Sequence, residues 1–261
     1  MFKSKPILSV SLFLIMFLAG VVAVAQKDST PNKKVLMVLT SNSLLGDTGQ
    51  KTGFHFSEAT HPYDVFTRAG FTVDFVSPQG GEAPQYYVDL EDRINLAFFL
   101  NPFKMSKVKN TFNPSQINPA KYDAIFYVGG PGTMWDFPDN SELARIATDI
   151  YERGGVVAAI CHGPAALLNV KLANGQHLVS GKIVTSFTNE EEEAAGLIEA
   201  VPFLLETALL DRGAIFVEAG IYEPKVVVSG RLVTGQNPAS AIEMSERIVE
   251  LLQKSQVQPK S

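Results

Sequence analysis

The feature that most constrains this chain is a buried strand that runs straight into a cysteine. Val156-Val157-Ala158-Ala159-Ile160 contains no polar residue, the pattern of a strand covered on both faces. Cys161-His162-Gly163-Pro164 follows with no spacer, and Ala165 to Leu168 reads as the opening of a helix. Small residues, Ala159 and Gly163, stand two before and two after the cysteine. Strand, sharp turn, helix, with small residues at those positions, is the nucleophile-elbow pattern with cysteine in place of serine. Such an elbow belongs at the carboxyl end of a strand in an α/β sheet, where sites of this architecture lie.

The rest of the chain supplies that sheet. Val35 to Leu39, Phe71 to Val76 and Ala124 to Val128 read as further strands, and Ile183–Ser186, Ile215–Val217, Val226–Ser229 and Leu232–Thr234 as short ones. Between them Glu58–Ala69, Ser141–Arg153, Pro202–Arg212 and Pro238–Lys254 read as helices, with Ser141 as an N-cap. Strands alternating with helices predict a mostly parallel sheet with helices on both faces. Residues 79–121 form a long irregular connection with a helix expected over Asp89–Leu100. An insertion of that length is usually a functional loop or lid.

Composition excludes several classes. At 46% hydrophobic and 19% charged residues over 261 positions, the chain has enough apolar material for a core and is not a disordered polymer. A net charge of −5 argues against a nucleic-acid partner, because phosphate contacts need clustered cations. A single cysteine excludes an intrachain disulfide and leaves that thiol either buried and inert or chemically employed. Lys3 and Lys5 precede an uncharged run from Pro6 to Gln26 that ends in Ala23-Val24-Ala25. This reads as an export signal cleaved after Ala25, giving a periplasmic protein, with an anchor through residues 6–25 as the alternative. Residues 26–33 then form a linker, 34–255 the domain, and 256–261 a tail.

Within the domain, Cys161 is the candidate nucleophile. A helix beginning just after it is expected to depress the thiol pKa. The backbone N–H groups of His162 and of Gly130, in Gly129-Gly130-Pro131-Gly132 after the neighbouring strand, are the candidate oxyanion donors. His162 is the candidate base. Its orienting acid is sought among Glu190, Glu191, Glu192 and Glu193, a run whose other members read as a solvated helix start. His55, Glu58 and His61 are spaced so that a helix would spread them apart, unlike zinc-binding motifs with two His at i and i+4. No metal is expected.

From Val35 to about Leu252 the chain resembles the ThiJ/PfpI family of the class I glutamine amidotransferase-like superfamily. The resemblance rests on Thr52-Gly53-Phe54, Glu58-Ala59-Thr60-His61-Pro62, Phe71 to Pro78, Gly154 to Ala165, Ser186 to Glu192 and Gly230 to Ser240. It is strongest with the heat-shock chaperones that act as glutathione-independent glyoxalases. It implies a flavodoxin-like three-layer sandwich, a homodimer and no cofactor. It also implies Cys161 as nucleophile, His162 as its partner, Glu192 as the triad acid, and Glu58 as a carboxylate hydrogen-bonded to the thiol. The implied reaction turns methylglyoxal or glyoxal into a 2-hydroxy acid. The implied alternatives are an amidase, peptidase or deglycase acting on glycated proteins, and a non-catalytic holdase for unfolded proteins. The chain departs from the pattern at Pro131, where relatives often carry a His.

Overall fold

Six strands build the central sheet of the computed structural model, which describes residues 1–2 and 33–254. Nearly all of the expected leader and of the linker, and the whole tail, lie outside the described residues. The strands are β1 (Lys34–Val38), β2 (Thr72–Val76), β3 (Ala124–Tyr127), β4 (Val156–Ile160), β5 (Val226–Ser229) and β6 (Leu232–Gly235). Their order across the sheet is β2-β1-β3-β4-β6-β5. Every neighbouring pair is parallel except β6 with β5. The fold is therefore the expected α/β sandwich, with flavodoxin-like strand order up to β4.

The apolar runs read as strands because both faces are covered. Along β1, Val35 and Met37 enter one core with Val73, Phe126 and Ala158, while Leu36 and Val38 enter the other with Ile125, Tyr127 and Val157. Helices α1 (Phe56–Arg68) and α6 (Ala241–Lys254) close the first face through Phe56, Ala59, Phe66, Met244 and Ile248. Helix α4 (Ser141–Glu152) closes the second through Leu143, Ile146, Ala147 and Ile150. Each of the larger of these side chains, removed from water, contributes ~1.5–3 kcal/mol.

Local expectations need adjusting in places. Asn140, not Ser141, caps α4, its side-chain oxygen accepting the Leu143 N–H at 2.9 Å. The insertion holds two helices, α2 (Arg93–Phe99) and α3 (Pro102–Lys109), where one was expected. Asp92 caps α2 through the N–H groups of Ile94 and Asn95, so the helix starts later than Asp89. The insertion is tied to the start of α1 by a short parallel pairing of Phe54–His55 with Gln85–Tyr86. The segment after Cys161 is a short 3₁₀ helix, Gly163–Leu167, rather than an α-helix.

Candidate active site

Register brings the site together at the carboxyl ends of β3 and β4. Tyr127 pairs with Ala159, so Gly129 and Gly130 emerge beside Cys161. Cys161 has φ +58°, a left-handed conformation that few non-glycine residues adopt. It is pinned there from both sides. Its N–H donates to Gly235 O at 2.9 Å, and its carbonyl accepts the Phe187 N–H at 2.9 Å. The small neighbours of the elbow have steric causes. A Cβ on Gly163 would stand 2.4 Å from Tyr127 O, and one on Gly129 would stand 2.7 Å from the Cys161 Cβ.

The sulfur sits between an imidazole and a carboxyl group. On one side, Cys161 Sγ lies 3.3 Å from His162 Nδ1. His162 Nε2 in turn lies 3.0 Å from Glu192 Oε2 and 3.3 Å from Oε1. The imidazole packs on Phe187, with ring centroids 4.5 Å apart, and both partners of the His162–Glu192 pair are buried. On the other side lies the Glu58 carboxyl, whose Oε2 accepts the Gly129 N–H at 2.9 Å and, like the Cys161 Cβ, would meet a Cβ placed on Gly129. Its Oε1 has no hydrogen-bond partner. The Gly130 backbone N–H favours a thiolate at Cys161, and Gly130 has φ +107°. A Cβ there would meet Gly53 O at 2.4 Å.

Electrostatics differ from the expectation of a depressed thiol pKa. Burial pushes the Cys161 thiol well up, and the charge of an ionised Glu58 would push it the same way. Two causes defeat the helix argument: the following turn is too short to carry a macrodipole, and the sulfur is removed from water. Burial also pushes Glu58 up to about 8, against hydrogen bonds from Cys161 and Gly129. At neutral pH the carboxyl keeps its proton, and the charge of either group disfavours the charge of the other, so thiol and carboxyl titrate as a pair.

Of the four glutamates, Glu190 and Glu193 are exposed and Glu191 and Glu192 buried. Glu191 was expected on a solvated surface. It is instead the centre of a buried network: its Oε1 accepts from Tyr222 N, Gln236 Nε2 and Asn237 Nδ2, and its Oε2 from Thr188 N.

The sequence of residues 50–251 matches the DJ-1/PfpI family. The chain belongs to the DJ-1/PfpI family. Among its relatives is the glutathione-independent glyoxalase of Saccharomyces cerevisiae, 35% identical over 84% of this chain and 98% of that protein. Glyoxalase III from Candida albicans has a solved structure that is 32% identical, with a TM-score of 0.78 over 84% of this chain and 97% of that one. The Rapid Encystment Protein of Francisella tularensis is 41% identical, with a TM-score of 0.82 over 84% of this chain and 99% of that one.

These comparisons correct the expectation of export. The fungal glyoxalases are matched over 97% and 98% of their own length by 83% and 84% of this chain, so what the chain shares with them requires no leader. Among the described residues, no helix is long and apolar enough to cross a membrane. The reading of residues 1–25 as an export signal, and of residues 6–25 as an anchor, is set aside.

The candidate site of this DJ-1/PfpI family member opens into a cavity of about 560 Å³. Cys161, His162, Gly130 and Pro131 line it, and His55, Tyr86, Tyr87 and Tyr222 are among its other lining residues. Sequence reasoning missed these last residues as site components. The two insertion tyrosines had no motif, and Tyr222 lies far along the chain from the elbow. His55 was weighed only as a metal ligand. Its ring stacks on Tyr87 at 5.2 Å, and burial, with His61 and His162 nearby, lowers its pKa to about 4. His61 pairs instead with Asp92, 3.2 Å away. Among the described residues no cluster of three or more His, Cys, Asp or Glu is arranged to hold a metal.

Proposed function

We propose that the protein is a glutathione-independent glyoxalase, converting methylglyoxal or glyoxal with water into lactate or glycolate. One observation carries this reading. The buried thiol of Cys161 lies between an imidazole and a protonated carboxyl group, in a chain about a third identical to proteins named for that activity. Cys161 is the nucleophile. His162, held by Glu192, accepts the thiol proton, and a C–S bond forms to the aldehyde carbon. The N–H groups of Gly130 and His162 face the oxygen that gains charge, and Glu58 gives that oxygen its proton. As a carboxylate, Glu58 then takes the carbon-bound proton and returns it to the neighbouring ketone carbon. The hydroxyl proton passes to the ketone oxygen. The first carbon is thereby oxidised to a thioester while the second is reduced to an alcohol, so no outside oxidant enters. Water then adds its hydroxyl to the acyl carbon and its proton to the sulfur as the C–S bond breaks, and the proton held by His162 returns to Glu58, so the acid leaves and thiol, imidazole and carboxyl are restored.

Residues 34–255 form the functional unit in this reading. The 79–121 insertion covers the site, and the active species is a homodimer. The test is methylglyoxal loss without glutathione. Wild type is expected to produce lactate in equal amount, and Cys161→Ser to produce none. No dicarbonyl loss by wild type would overturn the reading and favour the amidase or deglycase alternative, measured on glycated peptides.

A second reading, a holdase for unfolded proteins, has its own observation. Leu96, Phe99, Leu100 and Phe103 of the insertion are exposed, Leu100 at 69% and Phe103 at 67%. Suppression of aggregation by Cys161→Ser at wild-type strength would establish it as separate from catalysis.

A further inference from the structure

The cavity is built for more than a three-carbon substrate. Pockets of roughly 300–1,000 Å³ enclose ligands of drug size, and this one holds about 560 Å³. Its walls are aromatic on two sides. Tyr86 and Tyr87 come from the insertion and contact the His55 ring, Tyr87 stacked on it and Tyr86 edge-on at 6.5 Å. Tyr222 comes from the loop before β5 and lies 6.4 Å from Phe187.

Two of these tyrosines sit on left-handed backbone, Tyr87 at φ +49° and Tyr222 at φ +59°. Such conformations persist only where the surroundings impose them, and they gather at ligand sites. For Tyr222 the imposing contact is its N–H donated to the buried Glu191 at 2.8 Å. Both side chains are nonetheless half or more exposed, so neither is held there by core packing.

Charge is the third observation. No Lys, Arg, Asp or Glu lines this cavity among the described residues. His55 is neutral near pH 7, and its buried Nδ1 has no partner, a state an imidazolium does not tolerate. A charged substituent would find no Lys, Arg, Asp or Glu of the lining to pair with.

We propose that this aromatic chamber sets substrate choice: the protein prefers 2-oxoaldehydes carrying an uncharged aromatic or large apolar group on the ketone carbon, packed against Tyr86, Tyr87 and Tyr222. The inference rests on the glyoxalase reading and names its substrate class.

The experiment compares kcat/KM for phenylglyoxal, methylglyoxal and a 2-oxoaldehyde bearing a carboxylate, without glutathione. Wild type is expected to favour phenylglyoxal over methylglyoxal by about tenfold or more and to favour the carboxylate least, in line with the worth of aromatic contacts. Tyr87→Ala and Tyr222→Ala should each lower the phenylglyoxal value at least fivefold more than the methylglyoxal value, mainly through KM. Cys161 alkylation, measured alongside, reports an intact site. Equal use of the two neutral substrates by wild type, or equal losses on both in the variants, overturns the chamber while leaving the glyoxalase reading in place. No turnover of any dicarbonyl overturns both.

Discussion

Glu191 and Glu192 are consecutive, equally buried, and turned to different partners. Glu192 meets His162 Nε2 at 3.0 Å. Glu191 gathers four donors from Thr188, Tyr222, Gln236 and Asn237. One carboxylate faces the imidazole beside the cysteine, and the other ties helix α5 (Asn189–Ala194) to the loops before β5 and after β6.

The two should therefore separate on mutation. Glu192→Gln keeps the shape but leaves the imidazolium without its anion, and turnover should fall by ~10²-fold or more with little change in stability. Glu191→Gln puts an NH₂ against donors in a buried network. It should lower the denaturation midpoint, by ~1–3 kcal/mol, with less effect on turnover per folded molecule. Denaturant unfolding and kinetics on both variants decide it, and matching profiles would refute the division.

Gly163→Ala tests the elbow's steric logic. The added methyl would press on Tyr127 O at 2.4 Å, a backbone atom of β3 that cannot swing aside. We expect a loss of ~1–3 kcal/mol, as for overpacked cores, seen in the unfolding midpoint. Gly154→Ala makes a poor control, since its φ of +90° is strained by any side chain. Ala195→Gly, on the exposed end of α5, serves better.

The same buried carboxyl that faces the sulfur should mark the pH dependence of stability. Glu58 binds its proton more tightly when folded, with its pKa raised from 4.5 to about 8, so its contribution is lost as pH climbs through that interval. Asp136, raised to about 6 by burial, acts in the same direction lower down. His55, lowered from 6.5 to about 4, acts oppositely, since its unfolded form holds the extra proton between those values. The three overlap below pH 6.5. Between about 6.5 and 8 Glu58 dominates, and stability should fall by about 2 kcal/mol. Glu58→Gln should flatten that stretch of the curve, and a wild-type slope that survives the substitution would contradict the assignment.

The sheet was legible because its strands are apolar on both faces, a pattern with few other homes. The elbow was legible because a steric requirement, small residues two either side of Cys161, is written in adjacent letters. The pocket wall was not. Tyr86, Tyr87 and Tyr222 reach the cavity only through the Phe54–His55 pairing with Gln85–Tyr86 and through a bond to Glu191, contacts with no local pattern. Glu191 was misplaced for a related reason. A run of four carboxylates looks solvated, whereas a helix turns successive side chains by about 100° and here turned two of the four inward. The thiol's electrostatics depended on a helix that folds as one short 3₁₀ turn, below what sequence periodicity resolves.

The last expectation concerns Glu58 as a proton carrier. It is fully buried beside Cys161, bonded by Gly129 N–H on one oxygen and with no hydrogen-bond partner on the other. A group so placed can hand a proton to the substrate oxygen and take one from carbon without solvent entering. Glu58→Gln keeps the volume and the Gly129 contact but cannot exchange protons, so turnover of methylglyoxal should fall by ~10²–10⁴-fold. Folding and iodoacetamide labelling of Cys161 should persist. The labelling profile against pH should shift to a single thiol titration, because the carboxyl coupled to it is gone. Glu190→Gln, at an exposed position on the same run as the buried pair, is the matched control and should behave as wild type. Near-normal turnover in Glu58→Gln would remove the carboxyl from the proton path and leave His162 to make both transfers alone.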